Sequence, residues 1–137
     1  MYLRSFSRGV RPLSGRGKRV ESIVQDFVRS NAPDVTGAAV ASPRGLPIAV
    51  AVGPEVDPRM LSAQLAAIVS AQDRIVSQLG LGDMRTSTVE ADRGSLVVRR
   101  TGEYIIGVLI GKDANLGLIL IELDRLSNEI SEVLSAG

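Results

Sequence analysis

Turn residues divide residues 20–134 into short segments, and the apolar spacing within each segment predicts its secondary structure. Three segments repeat apolar residues every three or four positions, which predicts helices, and five are short runs of apolar or β-branched residues, which predicts strands. The order is helix, two strands, helix, three strands, helix. Tight turns join all consecutive strands except the pair separated by the middle helix. The pattern therefore predicts an α/β (α+β) domain with a five-stranded antiparallel sheet and helices on both faces.

Local signals mark where these elements begin and end. Asp57 and Pro58 fit the N-cap and first position of the middle helix, and Gly80 fits its C-terminal end. Pro43-Arg44-Gly45 is typical of a turn between the first two strands. The predicted first helix begins at Val20 and ends before Pro33. The middle helix covers 58–79, the last helix begins at Leu116, and the strands cover 35–42, 46–52, 85–91, 95–101 and 104–110.

The composition excludes several classes of site. The 137 residues include no cysteine and no histidine, which excludes thiol and imidazole nucleophiles, zinc sites built on those ligands, and disulfides. Gly15-Arg16-Gly17-Lys18 lacks the preceding strand and the hydroxyl residue of a phosphate-binding loop. We therefore expect no enzyme activity, no catalytic residue, no cofactor and no metal. The few aromatic residues predict an aliphatic core and disfavour stacking on single-stranded nucleic acid.

The N-terminal segment is basic. Residues 1–19 have no acidic side chain, although the whole chain carries a net charge of only +1, so the remainder is acidic. We predict a disordered tail over 1–19 and a folded domain over 20–137. The tail could contact an anionic membrane or nucleic acid. Organellar transit peptides share this composition, but no amphipathic apolar face accompanies it, and a cytoplasmic protein is expected. The basic residues are Arg4, Arg8, Arg11, Arg16, Lys18 and Arg19.

The middle helix has two apolar faces. The first is aliphatic and is predicted to face the core: Leu61, Leu65, Ile68, Ile75 and Leu79. The second is built from small residues: Ala63, Ala66, Ala67, Ser70 and Ala71. The small face either packs on the chain's own sheet or meets a second helix or a flat partner. We favour the second alternative, because the aliphatic face already serves the sheet.

The segment Arg85–Ala91 is polar and β-branched, which predicts an edge strand. Pairing across a two-fold axis would satisfy its free backbone groups. Alternatively, this is an ordinary sheet edge at which Arg85 and Thr86 disfavour pairing with another strand. Arg99 and Arg100 follow each other on a predicted strand and so point to opposite faces. One is expected to be solvated, and the other to lie at a sheet end or to bind a partner.

The chain resembles the roadblock/dynein light-chain family, which includes regulators of bacterial polarity GTPases. The resemblance rests on the strand-turn-strand from Gly37 to Ile48, the alanine-rich middle helix, and Asn115-Leu116-Gly117-Leu118 at the start of the last helix. It implies a homodimer in which the edge strand Arg85–Ala91 pairs with its mate, so that the sheet continues across the homodimer and the middle helices lie side by side. It also implies a non-catalytic scaffold or regulator that docks a small Ras-like GTPase.

These inferences define two sets of candidate residues. The predicted dimer interface comprises Ala63, Ala66, Ala67, Ser70, Ala71, Arg85, Thr86, Ser87, Thr88 and Val89. The predicted partner-binding residues are Arg44, Ala67, Ala71 and Arg74. Two other functions stay open: a sensor of a small ligand, which the nearly all-aliphatic core disfavours, and a domain tethered to membrane or RNA by its basic tail. The tail is not part of the family pattern.

Overall fold

Three helices and one antiparallel sheet make up the computed structural model, which describes residues 4–5 and 15–135. The predicted strands and helices are confirmed in their order, and a two-residue strand near the N-terminus was not predicted. The elements are β1 (Arg4–Ser5), α1 (Gly15–Ser30), β2 (Val35–Ala41), β3 (Pro47–Val52), α2 (Pro58–Gln78), β4 (Thr86–Ala91), β5 (Gly94–Thr101), β6 (Tyr104–Gly111) and α3 (Leu116–Ser135).

The strand order across the sheet is β1-β3-β2-β6-β5-β4, and all neighbours are antiparallel. The apolar strands β2 and β6 lie in the centre, whereas the polar strand β4 pairs only with β5 and forms one edge, as predicted. At the other edge Arg4 and Ser5 of β1 pair with Val52 and Ala51 of β3. The edge at β4 is therefore open for further pairing.

Helices cover both faces of the sheet, and two consecutive arginines on β5 show this directly. The side chain of Arg99 bonds Asp124 on α3, whereas that of Arg100 bonds Asp73 on α2. Successive strand residues point to opposite faces, so α2 lies on one face and α3 on the other. The helix α1 packs beside α3. The expectation that one arginine is solvated is wrong, because each is held by a carboxylate that is remote in sequence.

The core is aliphatic, as predicted. Phe27 is its one aromatic member among the buried residues that the structure describes. At the centre, Leu65 of α2 lies directly over Gly107 of β6: a Cβ at Gly107 would fall 2.7 Å from the Leu65 methyl carbons. The glycine thus allows α2 to approach the sheet closely. No helix within residues 15–135 is long and apolar enough to cross a membrane.

The first helix begins earlier than the sequence predicts. α1 starts at Gly15, so residues 15–19 of the predicted tail are helical. Gly17 is buried three positions before the buried Val20, and it continues the core-facing side of the helix without an apolar side chain. The periodicity of apolar side chains alone therefore missed this turn. The rest of the predicted tail, apart from Arg4–Ser5, lies outside the described residues, and its disorder stays a prediction.

Candidate protein-interaction site on α2 and β4

The edge strand β4 is open to solvent along its length. Five of its six residues are exposed, and Ser87 is half-buried. Its inner side pairs with β5 from Thr86 opposite Arg99 to Ala91 opposite Gly94. An exposed edge with free N–H and C=O groups is a template for a further strand, which is the property that the prediction of a dimer needs.

The outer face of α2 is also exposed. Ala63, Ala67, Ser70, Ala71 and Arg74 are all solvent-accessible, and they leave a flat helix surface with little side-chain bulk. Two aliphatic residues that the sequence assigned to the core share this exposure: Ile75 is 54% exposed and Leu79 is 67% exposed. The predicted core stripe is therefore wrong at these two positions, and the outer surface of α2 is more apolar than predicted.

Helix geometry explains the correction. Eleven residues make about three full turns, so Val76 and not Ile75 returns to the side of Leu65. Val69 and Val76 pack against the core, as does the half-buried Ile68. Leu79 comes after the last helical residue and serves as the C-cap. The second half of α2 thus presents valines to the sheet and an isoleucine to solvent.

Part of the small-residue face packs within the chain. Gly45, at the tip of the β2–β3 hairpin, has a φ of +86°, and a Cβ there would lie 3.0 Å from the Ala63 Cα and 3.2 Å from the Ala66 Cβ. Ala66 is accordingly half-buried. Both explanations of the small face therefore hold, each for a different part: Ala66 serves the chain's own hairpin, whereas Ala67, Ser70 and Ala71 remain exposed. The hairpin also places the exposed Arg44 beside this end of α2.

One carboxylate ties α2 to the start of β4. Asp73 Oδ1 accepts a hydrogen bond from the backbone N–H of the buried Met84, at 2.8 Å, and another from Arg100 Nη1, at 3.0 Å. Ile75 and Leu81 line a depression beside this junction together with Arg85, Thr86 and Ser87. The outer face of α2 and the free strand edge are thus held next to each other as one surface.

This junction predicts that two aspartates contribute differently to the free energy of unfolding. Asp73→Ala leaves the N–H of Met84 buried without an acceptor, which we expect to lower the free energy of unfolding by about 1–3 kcal/mol. Asp124→Ala removes a carboxylate that is 65% exposed, and we expect a loss of no more than about 1 kcal/mol. Urea denaturation at one protein concentration measures both values. Equal losses would contradict the role of Asp73.

The structure brings most predicted interface residues together. Arg85, Thr86, Thr88 and Val89 are exposed at the edge, and Ser87 is half-buried. Their function in an interface stays a prediction. Sequence reasoning missed the exposed Ile75, Leu79 and Leu81, and it missed Asp73, for which no local pattern existed. Within residues 4–5 and 15–135, no group of three or more acidic residues is placed to hold a metal ion.

Comparison with known proteins identifies the family. Residues 24–110 match the model of the Roadblock/LC7 domain, which is more than half of the chain. The uncharacterized protein MJ0714 of Methanocaldococcus jannaschii is 32% identical over 96 residues, a stretch that covers 70% of this chain and 81% of that protein.

Solved structures show the same fold. Myxococcus xanthus MglB has a TM-score of 0.83 at 15% identity, over 92% of this chain and 95% of its own. A Roadblock/LC7 domain from Streptomyces avermitilis has a TM-score of 0.75 at 24% identity, over 85% of this chain and 98% of its own. The family match and the archaeal relative agree with each other, and the solved structures share the fold. The chain therefore belongs to the Roadblock/LC7 domain family, a family of regulatory, non-catalytic domains associated with small GTPases.

Proposed function

We propose that this protein is a non-catalytic homodimeric scaffold or regulator that docks a small Ras-like GTPase. One observation carries the proposal: an exposed helix face of small and apolar residues lies next to a strand edge that is free to pair and mostly exposed. In the proposed dimer, β4 pairs with β4 of a second copy, the sheet continues through both subunits, and the α2 helices lie side by side. The proposal places the protein in the cytoplasm, where small GTPases act.

The apolar part of this surface supports the dimer. Ile75 and Leu81 line one depression at the α2–β4 junction, and Val89 is exposed on the adjacent strand. Single exposed aliphatic residues are ordinary in soluble proteins, but several around one depression mark an interaction surface. A second subunit paired along β4 would cover them and would satisfy the free backbone groups of the edge in the same step.

The small residues of α2 support the docking surface. Ala63, Ala67, Ser70 and Ala71 allow a partner backbone to approach closely, since no long side chain stands between. Arg74 on the same helix and Arg44 on the hairpin are exposed cations beside this flat area. Such an arrangement offers shape complementarity in the middle and charged contacts at the rim, which is typical of protein interfaces.

We expect light scattering at micromolar concentration to give twice the mass of one chain. We further expect a small GTPase from the same genome to bind the dimer with different affinities in its GDP and GTP-analogue states, measured by calorimetric titration, because a regulator must distinguish the two states. A monomer at these concentrations contradicts the dimer. A dimer that binds none of these GTPases in either state contradicts the docking function and leaves the dimer in place.

A further inference from the structure

We propose that β4 pairs with β4 of a second copy in one defined register, with the two-fold axis at Thr88, and that Glu90 of each subunit then faces Thr86 and the adjacent Arg99 of the other. This inference rests on the homodimer of the proposed function. It adds the residues that select the register and the charge pair that stabilises it.

The pairing of β4 with β5 determines which β4 residues direct their backbone N–H and C=O groups toward β5 and which direct them away. The backbone N–H of Arg100 donates to the carbonyl of Arg85, at 2.9 Å, so Arg85 and Arg100 form a hydrogen-bonded pair. Hydrogen-bonded and non-hydrogen-bonded pairs alternate along an antiparallel ladder. Ser87, Val89 and Ala91 therefore direct their backbone groups toward β5. Thr86, Thr88 and Glu90 direct theirs away from the sheet, into the open edge.

A two-fold axis can join these outward-facing residues in few ways. With the axis at Thr88, Thr88 meets its own copy and Thr86 meets Glu90 of the partner subunit, so every outward-facing residue of the strand is paired. With the axis at Ser87 or at Val89, one outward-facing residue of β4 falls beyond the end of the partner strand. The register centred on Thr88 therefore satisfies the most backbone groups, and an unpaired group at a buried seam is costly.

Side-chain charges favour the same register. An axis at Val89 would place Arg85 opposite Arg93 of the partner subunit, and like charges directly opposite each other are destabilising. An axis at Ser87 would place the carboxylate of Glu90 opposite Met84, which is buried and apolar. Only the axis at Thr88 places Glu90 opposite Thr86, whose hydroxyl accepts a hydrogen bond from a cation.

That cation is Arg99. Thr86, Arg99 and Asp124 line a polar depression of about 380 Å³ on the α3 face of the sheet. Arg99 Nε donates to Thr86 Oγ1 at 3.1 Å, and a second nitrogen of Arg99 bonds Asp124. Arg85 pairs with Arg100, whose side chain bonds Asp73 on α2, so the side chain of Arg85 points to the opposite face of the sheet.

Glu90 supplies a further negative charge. It lies two positions from Thr88 and four from Thr86, so all three side chains share the α3 face. Within the described part of the chain, the side chain of Glu90 has no ion-pair partner. In the register centred on Thr88, Glu90 of the partner subunit stands beside Thr86 at the mouth of the depression, within reach of the Arg99 guanidinium. The two-fold axis makes this contact twice in each dimer.

Cysteine cross-linking tests the register, because the chain has no native cysteine. Ser87→Cys, Thr88→Cys and Val89→Cys are oxidised separately and followed on non-reducing gels. Directly opposed residues of an antiparallel pair have Cα separations of about 4.5–5.5 Å, which suits a disulfide. We expect Thr88→Cys to cross-link at least about tenfold faster than the other two. We also expect Ser87→Cys and Val89→Cys to cross-link with each other when co-expressed.

The other outcomes overturn the inference in distinguishable ways. Fastest cross-linking at Ser87→Cys or at Val89→Cys moves the axis and refutes this register, while the homodimer stands. A dimer by light scattering that cross-links at none of the three positions refutes pairing along β4. A monomer refutes the homodimer itself and the register with it.

Charge reversal tests the ion pair. We expect Glu90→Arg to raise the dimer Kd at least about tenfold, since two contacts per dimer change from attraction to repulsion. Adding Arg99→Glu to it should return the Kd to within about threefold of the original. Glu103→Arg is the matched control on the exposed β5–β6 turn and should leave the Kd unchanged. An unchanged Kd for Glu90→Arg, or no recovery in the double variant, refutes the pair.

Discussion

Replacing Ala67 by arginine is expected to abolish dimerisation, GTPase binding or both, while the fold stays intact. Ala67 is exposed in the single chain, so the fold has room for a longer side chain. In a close contact with a second helix or a GTPase, added bulk costs about 1–3 kcal/mol, and an unpaired buried charge costs more. Circular dichroism reports the fold, light scattering the mass, and calorimetric titration the GTPase affinity.

The control for Ala67→Arg is Ala32→Arg, which makes the same exchange at an exposed position in the turn that follows α1. It should leave dimerisation and GTPase binding unchanged. Loss of the fold in Ala67→Arg would show that this position packs within the chain, as Ala66 does against Gly45. Normal dimerisation and normal binding would place the functional surface elsewhere, for example at the turn around Arg44.

Replacing Leu65 by alanine should destabilise the protein most. Leu65 is fully buried and fills the space over Gly107, so the change leaves a cavity where α2 meets the sheet. Buried Leu→Ala exchanges cost about 2–5 kcal/mol. The same exchange at Leu118, an exposed position on α3, should cost less than about 0.5 kcal/mol. Urea denaturation at one protein concentration compares them.

A small loss for Leu65→Ala would mean that α2 does not pack tightly on the sheet at Gly107. A large loss for Leu118→Ala would mean that the outer face of α3 is covered in solution. Equal concentrations matter in both measurements, because dimerisation contributes to the apparent stability of each variant.

Local sequence signals were sufficient wherever the interactions themselves are local. Asp57 caps α2 by accepting from the backbone N–H of Arg59, and Pro58 is the first helical residue, as predicted. Gly80 adopts a φ of +73° just past the end of α2. Asn115 accepts from the backbone N–H of Leu118 and opens α3, which gives a physical reason for the asparagine in the family-like Asn-Leu-Gly-Leu stretch.

Counting apolar residues at three- and four-residue spacing failed over the length of α2. The count selected Ile75, whereas the 3.6-residue turn brings Val76 back to the side of Leu65 and leaves Ile75 facing solvent near the open edge. The same method missed the first turn of α1, because the buried Gly17 has no side chain to count.

The sequence by itself determined the elements, their order, the polar edge strand and the absence of cysteine and histidine chemistry, because each depends on residues within a few positions or on composition alone. Only the tertiary structure decided which side chains meet. Asp73 and Arg100 are 27 positions apart, and Arg99 and Asp124 are 25 apart. The fold alone brings such pairs together, and it alone leaves the outer face of α2 and the edge of β4 exposed side by side.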